Sequence, residues 1–548
     1  ARARLVEAQA QFSRMRGDVR SLGPILPLAK LVPVLRQQVR GVEVFSDSGL
    51  LLSDAGLRLD GAAAGILEPT DQRLKVSAAL ATLRKVHVAM QAGVKSLDKA
   101  AEKVRSLDGY NLFGPLGDAR ADLARRLPVI QKKAQGAESG LGALIAFAGG
   151  SGPKRYLVLS QNPDEVRPTG GFIGTYGVLL ADGAQVRLER YDSIDSWTRS
   201  RPDATVPAEK AGIAFLSQTP PANQNLGNVN SLPDWPSAAR LAMDLWQRGG
   251  EAPVDGVVSF TPGLLGRILG VTGPVTVPSY GENVSASNLD ERLDFYTHSE
   301  EALKNPNRKD FVAALAEVTL QRLLESPASQ WDALARAVGA SLDNQQAMAW
   351  ARDPGLEAEL ARRRWDGAFP ATRGDFFAAG EFAYTSKNGK GLRRTYDHLV
   401  SLRPDGSARI TTTMTIENTK PAGILNRDSL SYITVYGPSG GVLAKDGDDP
   451  GVPESELAGH PAFAWFRAAE PLGQTTLKVA WDAPDVAHKN PDGSWVYGLW
   501  FRRIVDHSGD VLNLKVDLPP GWRWRDQAPP ARVDLNRDVI ETWAIRAG

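Results

Sequence analysis

The chain of 548 residues contains no cysteine, and it has only six histidines. The absence of cysteine excludes disulfides, thiolate zinc sites and cysteine nucleophiles. The histidines are scattered along the sequence, and no two of them have the spacing of paired metal ligands. A chain without cysteine is compatible with an envelope protein from a bacterium that does not rely on disulfides.

An excess of charge of one sign is also absent, because 64 basic residues are balanced by 63 acidic ones. Without a global basic field, the composition gives no reason to expect DNA or RNA as a partner. No apolar run in the sequence reaches the roughly 18 residues of a membrane-spanning helix. The chain starts at Ala1, within a helical pattern, so we expect that an upstream segment has been removed.

Apolar residues in the first 150 positions follow the spacing of packed helices. One stripe with three- and four-residue steps begins at Leu5, and a longer one extends from Val76 to Val104. They predict an elongated helical bundle or stalk over residues 1–150. A stalk above a membrane anchor, a plain helical domain and a dimerisation bundle that forms a homo-oligomer all fit this pattern. His87 lies on the longer stripe and is predicted to be a hydrogen-bonded interior or rim histidine.

Beyond residue 150 the apolar pattern changes, and it predicts a multidomain α+β protein. Strands and helices follow one another over residues 151–287, which indicates a central α/β domain with a mixed sheet. Residues 288–370 have helical spacing and are expected to pack on that domain as a helical segment. Alternating strands joined by turns such as Arg403-Pro404-Asp405-Gly406 predict a β-sandwich, immunoglobulin-like, over residues 371–548.

The candidate site lies in the stretch from Arg155 to Asp195. A first apolar run ends at Asn162-Pro163, and a second run, Phe172 to Leu180, has several glycines in or beside it. Clustered glycines in a strand suggest that something approaches the backbone closely. Polar groups collect between the two runs, where binding residues are common, although a solvated hairpin has the same pattern. This set comprises Asn162, Asp164, Glu165, Arg167, Thr169, Gly170 and Gly171.

After the second run, the turn Ala181-Asp182-Gly183 and the alternating run from Gln185 to Tyr191 predict a hairpin. A long irregular segment from Arg201 to Pro233 follows it. Such segments inside compact domains are commonly functional or disordered. Four asparagines, among them Asn230, together with Trp235 favour a loop that borders the site. Asp234 is predicted to cap the next helix, since Pro236 follows in its first turn.

Two chemistries are compatible with the aspartates, glutamate and arginines of this region. In phosphate handling, arginines bind phosphate and carboxylates hold a magnesium ion that neutralises a leaving pyrophosphate. In glycoside hydrolysis, a pair of carboxylates flanks the scissile bond. The pattern alone does not distinguish them.

Several ordered blocks of the sequence carry a resemblance to a known family. They include Glu165-Val166-Arg167-Pro168-Thr169-Gly170-Gly171, Leu232-Pro233-Asp234-Trp235-Pro236 and Val254-Asp255-Gly256-Val257. Over roughly 150–290 the chain resembles the bacterial family called domain of unknown function 4012. The resemblance implies an N-terminal membrane anchor, a helical segment, the motif domain and a β-rich tail.

The order of elements is more distantly similar to that of the LytR-CpsA-Psr enzymes of the cell envelope, which transfer glycans from a polyprenyl-pyrophosphate carrier. This similarity implies that Arg167 lies near a pyrophosphate-binding position. The sequence departs from the enzymes' pattern, because Pro168-Thr169-Gly170-Gly171 follows this arginine where an aspartate two residues on is usual.

The leading hypothesis is an extracytoplasmic, membrane-anchored envelope protein that binds a free or polyprenyl-phosphate-linked glycan. An extension of this hypothesis is that the protein also transfers the glycan. Asp192 and Asp195 would hold Mg²⁺ or act as base, and Arg167 and Arg190 would contact phosphate. The remaining predicted substrate contacts are Asn162, Thr169, Gly170, Gly171, Asn230, Asp234 and Trp235. One alternative is a non-catalytic scaffold, and another is a glycoside hydrolase that uses Glu165 and Asp192.

Overall fold

The computed structural model describes residues 2–21, 31–67, 76–150, 152–183, 185–208, 223–305, 307–384, 386–449 and 451–548. The chain divides into two compact units, one formed by Ala1–Lys154 with Ala181–Val186 and the other by Arg155–Leu180 with Arg187–Gly548. None of the helices in the described ranges combines the length and apolarity needed to cross a membrane.

The first unit contains long helices, as the apolar stripes predict. Their bounds are α1 (Arg2–Ser21), α2 (Pro33–Leu67), α3 (Val76–Arg105) and α4 (Pro115–Phe147). Glycines on α2 receive large side chains of α1: a β-carbon at Gly49 would lie 2.4 Å from the Phe12 ring, and one at Gly56 would lie 2.8 Å from Leu5. The equal spacing of the two pairs produces close antiparallel packing of these helices. His87 is hydrogen-bonded, since its Nε2 lies 2.7 Å from Glu138 Oε1, as the sequence predicts.

The second unit begins with alternating strands and helices. Its strands up to residue 351 are β1 (Lys154–Asn162), β2 (Phe172–Asp182), β3 (Gln185–Ser193), β4 (Val206–Pro207), β5 (Asn223–Gln224), β6 (Gly256–Phe260), β7 (Val275–Val277), β8 (Glu282–Val284) and β9 (Ala347–Ala351). Its α-helices are α5 (Ile194–Ser200), α6 (Trp235–Arg248), α7 (Pro262–Thr272), α8 (Leu289–His298), α9 (Glu300–Lys304), α10 (Asp310–Leu324), α11 (Trp331–Asp343) and α12 (Pro354–Arg363). Short 3₁₀ turns include Leu226–Ser231 and Pro278–Tyr280.

The central sheet is mixed and has the strand order β3-β2-β1-β6-β9. Strands β1 and β6 are parallel, whereas β9 is antiparallel to β6. Helices cover both faces, because Leu157 and Leu159 pack into one apolar cluster and Val158, between them, packs into another. The near-continuous apolar run of β1 therefore reflects burial on two faces. Strand β9 lies in the region for which only helices were predicted, so that prediction is wrong at 347–351.

The remaining residues form two packed sheets. The strands are β10 (Asp375–Ala383), β11 (Leu392–Leu402), β12 (Ala408–Asn418), β13 (Ser429–Tyr436), β14 (Val442–Leu443), β15 (Val452–Leu457), β16 (His460–Ala469), β17 (Gln474–Ala483), β18 (Ala487–Lys489), β19 (Trp495–Arg502), β20 (Val511–Asp517), β21 (Arg523–Trp524), β22 (Arg532–Asp534) and β23 (Val539–Arg546). One sheet has the order β15-β16-β13-β10-β19-β23-β21 with β18 beside β19, and the other has the order β14-β17-β12-β11-β20-β22. Both contribute to one apolar core.

This arrangement confirms a C-terminal region of multi-stranded sheets. The immunoglobulin-like assignment stays a prediction. Two parallel pairs, β10 with β19 and β11 with β20, connect strands that are distant in the sequence.

Candidate functional site

A cleft opens in the second unit where β1 and β6 reach their C-terminal ends. Its walls come from these strand ends, from β2, from the first turn of α7 and from α8, and its volume is about 80 Å³. In open α/β sheets, ligands commonly bind beyond the carboxyl ends of parallel strands. The space accommodates several water molecules or a small charged group such as a phosphate.

Three side chains in this cleft are arranged like metal ligands. Carboxylate oxygens of Asp164 and Asp294 and a ring nitrogen of His298 all lie within 4.8 Å of one another. In the part of the chain that the structure describes, they are the one group of three such residues close enough to share a cation. Two carboxylates with an imidazole suit Zn²⁺ or Mn²⁺ better than Mg²⁺, which prefers oxygen ligands alone.

The Lys390 ammonium shares this part of the cleft with the ligand group. Its Nζ lies 3.4 Å from Asp164 Oδ2 and 3.3 Å from Asp290 Oδ1. Burial raises the pKa of the Asp164 carboxyl, although the charge of Lys390 opposes this shift. Burial lowers the pKa of Lys390, but the nearby carboxylates outweigh it and the net shift is upward. The lysine therefore stays protonated and competes with any cation for Asp164.

Two further lysines line the cleft, and each is paired with a carboxylate. Lys387 Nζ donates to Glu165 Oε1 at 2.6 Å, and Lys309 Nζ donates to Asp195 Oδ2 at 2.7 Å. Burial lowers the pKa of Lys309, while Asp195 opposes that shift. Together with Lys390, these pairs bring ammonium groups from two separate segments to one small space, Lys309 from just before α10 and the other two lysines from the turn before β11. An entering anion would compete with the carboxylates for them.

Comparison with protein families identifies the segment that supplies most of this cleft. Residues 151–296 match the model of a family described as "Protein of unknown function (DUF4012)". We refer to this matched segment as the DUF4012 domain. No curated protein and no solved structure matches the chain.

Within the DUF4012 domain, Arg167 does not open into the cleft. Its side chain is buried, and Nη1 donates to the carbonyl oxygens of Val166 at 2.9 Å and Ala383 at 2.8 Å. Its guanidinium carbon also lies 3.7 Å from the centroid of the Phe382 ring and 5.5 Å from that of the Phe172 ring. All of these partners belong to the protein itself, so the arginine ties the loop after β1 to strand β10.

The acidic residues predicted to hold magnesium lie apart from the ligand group. Asp192 is exposed, and its Oδ1 accepts a hydrogen bond from Ser193 N at 2.6 Å. Asp195 reaches the cleft only through its pair with Lys309. Arg190 donates to Glu251 Oε2 at 2.9 Å and lies over Trp246, away from the cleft.

Several predicted contact residues hold the cleft wall in place. Gln161 Oε1 accepts hydrogen bonds from Thr169 Oγ1 at 3.0 Å and from Asn230 Nδ2 at 2.8 Å. Asn230 Nδ2 also donates to Gly171 O at 2.7 Å. Gly170 and Gly171 both have positive φ, 123° and 125°. A β-carbon at Gly171 would lie 2.0 Å from the carbonyl oxygen of Asn162, so the group that approaches this backbone is the chain itself.

Asp234 and Trp235 have structural positions as well. Asp234 caps α6, as predicted, with Oδ2 accepting from Ser237 N at 2.9 Å, while its Oδ1 accepts from Phe369 N at 2.8 Å. Trp235 is fully buried in the apolar core of the sheet and does not border the cleft. Residues 209–222 of the preceding segment lie outside the described residues.

Of the predicted site residues, the cleft therefore brings together Asn162, Asp164 and Glu165, with Asp195 at its edge. Sequence reasoning missed Asp294, His298, Lys309, Lys387 and Lys390. Asp294 and His298 stand one helical turn apart on α8, which is the local signal that would have revealed them. The three lysines have no such local signal, because they are distant in the sequence from the strands whose ends form the cleft.

Proposed function

We propose that the cleft of the DUF4012 domain binds the phosphate of a polyprenyl-phosphate-linked envelope glycan. The observation that carries this proposal is the convergence of Lys309, Lys387 and Lys390 on one small cleft beside the strand ends. Ammonium groups from separate segments provide a point-charge site for phosphate. The cleft volume fits the phosphate, and the glycan and lipid would remain outside it.

A divalent cation at Asp164, Asp294 and His298 would support the same function. When bound, it would neutralise charge on a phosphate and orient it. Mg²⁺ was expected from the sequence, but the imidazole favours Mn²⁺ or Zn²⁺. Lys390 would then be released from Asp164 toward the phosphate or toward Asp290.

We propose an extracytoplasmic, membrane-anchored location on the basis of the family resemblance. Among the two enzymatic extensions, glycan transfer agrees better with the cleft than glycoside hydrolysis does. Glu165 lines the cleft, whereas the second predicted hydrolase carboxylate, Asp192, is hydrogen-bonded within its own turn outside it. A scaffold without ligand, with an immunoglobulin-like module for partners, is the outcome if no phosphate binds.

Farnesyl phosphate, a short polyprenyl phosphate, provides a direct test. The purified chain is titrated with farnesyl phosphate and with farnesol, with and without Mn²⁺, and the melting temperature is followed. We expect farnesyl phosphate, but not farnesol, to raise the melting temperature. The Lys387→Gln variant should not show this rise. Lys515→Gln is the matched control, because Lys515 is exposed on β20 and does not line the cleft.

An equal response to farnesol would contradict phosphate recognition. An undiminished response in Lys387→Gln would remove this cleft as its location. Fractionation of bacteria that express the full-length protein, with protease added outside the membrane, tests the proposed location.

A further inference from the structure

A second and larger cleft, of about 860 Å³, lies between the end of α12 and the edge of the β-sandwich. Five arginines line it, and we name it the arginine cleft. They are Arg363, Arg364, Arg502, Arg503 and Arg537. Its volume is in the range of sites that hold small organic ligands. None of these arginines lines the cleft of the DUF4012 domain.

Arg502 is the most deeply buried of the five arginines, and it forms no ion pair within the described residues. Its side chain is only 4 % exposed, and its Nη2 donates to Gly367 O at 3.3 Å. Within the described residues its Nη1 has no hydrogen-bond partner. The carboxylates of Asp538, Asp234 and Asp366 act on its charge from beyond ion-pair distance. A buried guanidinium is normally paired, since desolvated charge is costly. An anion in the cleft would supply a counter-charge in direct contact with this guanidinium.

The wall has four carboxylates against its five arginines; Asp534 and Glu541 are exposed, and Asp343 and Asp538 are engaged by other donors. Asp343 Oδ1 accepts from Trp365 Nε1 at 2.7 Å. Asp538 accepts from the backbone N–H of Arg503 at 3.2 Å and from Trp500 Nε1 at 3.4 Å. Arg364 and Arg537 are exposed, and neither has a carboxylate partner in the described part of the chain. Positive charge is therefore available at the mouth of the cleft as well as at its base.

The backbone is strained where it lines the cleft. Gln345 and Arg364 have φ values of 57° and 60°, in the left-handed region that favours glycine. Each residue lies just after the end of a helix, where glycine is usual. Such conformations are concentrated at ligand sites, where the surrounding structure maintains them. Gln345 Oε1 is buried and has no hydrogen-bond partner in the described residues. It can therefore accept a hydrogen bond from a hydroxyl or N–H group of a ligand.

Aromatic rings complete the wall. The half-buried indoles of Trp500 and Trp543 both line the cleft, and Arg364 lies 5.6 Å from the Trp500 ring. Indoles offer apolar faces to sugar rings, while arginines bind carboxylate or phosphate groups. We propose that the arginine cleft binds an anionic saccharide, whose acid group interacts with the arginines and whose hydroxyls meet the acceptor of Gln345.

The experiment is calorimetric titration of the full chain with tetragalacturonate, glucose 6-phosphate, neutral maltotetraose and inorganic phosphate. The two anionic sugars separate carboxylate from phosphate as the acid group. We expect binding of at least one of them and none of maltotetraose. In the double variant Arg364→Gln/Arg537→Gln the affinity should fall about tenfold or more, because two charge-assisted contacts are lost. Both side chains are exposed, so the variant is expected to fold.

Arg523→Gln is the matched control, because Arg523 is exposed on β21 and does not line the cleft. Its affinity should equal that of the unchanged chain. Equal losses in the control and the double variant would overturn the proposal, as would the absence of binding by both anionic sugars. Inorganic phosphate that binds as tightly as the sugars would overturn the saccharide assignment. Lys387→Gln should leave this binding unchanged, which separates the result from binding in the cleft of the DUF4012 domain.

Discussion

The guanidinium carbon of Arg167 lies 3.7 Å from the centroid of the Phe382 ring. This contact joins the loop after β1 to strand β10, and the two carbonyl hydrogen bonds of Arg167 strengthen the junction. Burial lowers the pKa of Arg167 to about 10. Arg167, which the sequence analysis predicts to contact phosphate, is thus held by contacts within the protein itself.

We therefore expect Arg167→Ala to destabilise the protein. Loss of the buried contacts should lower the free energy of unfolding by about 2–4 kcal/mol, since the Ala383 carbonyl loses the Arg167 donor and the contact with the Phe382 ring is lost. The Val166 carbonyl keeps the backbone N–H of Ala383 at 3.0 Å. Urea unfolding followed by tryptophan fluorescence measures this change. Arg187→Ala, at an exposed position of β3, is the control and should leave the midpoint unchanged. A stable Arg167→Ala variant that has lost ligand binding would restore the role predicted from the sequence.

Gly171 and Gly174 provide a second test of the same wall. Gly171→Ala should destabilise the protein by about 3 kcal/mol or more, because it combines an unfavourable φ with a clash against the Asn162 carbonyl. Gly174→Ala should have little effect on stability, since no atom lies within 4 Å of its added β-carbon. Thermal unfolding measures the stability of each variant relative to the unchanged chain. Equal stability of both would mean that this backbone approach is not required.

Local patterns predicted much of the fold around the cleft. The neighbouring strands β2 and β3 and the cap at Asp234 follow from turn residues and apolar spacing. Strand β9 was missed because Ala347-Met348-Ala349-Trp350-Ala351 has no alternation of apolar and polar residues, being a buried strand.

The candidate site was predictable only in part, for a different reason. A polar residue in a loop has the same sequence pattern whether it contacts a ligand or the protein's own backbone, and Arg167 and Asn230 do the latter. Lys387 and Lys390 come from a turn beside β11, far along the chain from Glu165 and Asp164. The spacing of residues within one segment cannot predict contacts between segments that are so far apart in the sequence.

His507 predicts a dependence of stability on pH. Burial lowers its pKa well below the ordinary value, and the positive charges of Arg394, Arg503 and Arg393 lower it further. The neutral histidine therefore contributes stability that is fully present above the unfolded pKa of 6.5 and is lost as pH falls toward the lower folded pKa. The loss should be at most about 1.4 kcal/mol per pH unit.

Urea unfolding between pH 7.5 and 5.5 measures this slope. In His507→Gln the slope should be reduced, whatever the variant's stability at pH 7.5. His488→Gln, at an exposed position of β18, should keep the slope of the unchanged chain. Identical slopes in all three proteins would show that His507 does not titrate across folding.

The ligand group in the cleft of the DUF4012 domain allows the sharpest test, because Asp290 and Asp294 lie one turn apart on α8. Asp294 belongs to the group, whereas Asp290 contacts only Lys390 there. After treatment with a chelator, the chain is titrated with Mn²⁺ or Zn²⁺ by calorimetry. Asp294→Asn should weaken binding about tenfold or more, since one of three ligands is lost. Asp290→Asn should retain all three ligands and bind the ion with similar affinity.

Lys390→Met adds a result that a nonspecific surface site would not give. Removal of the ammonium group frees Asp164 from its competitor, so the affinity for the cation should rise. The same variant should bind farnesyl phosphate more weakly, because a phosphate donor is lost. Cation binding should also weaken as pH falls, since the imidazole and carboxylates must be deprotonated to act as ligands. A Lys390→Met variant that binds both the cation and the phosphate less tightly would mean that Lys390 organises the cleft rather than competing within it.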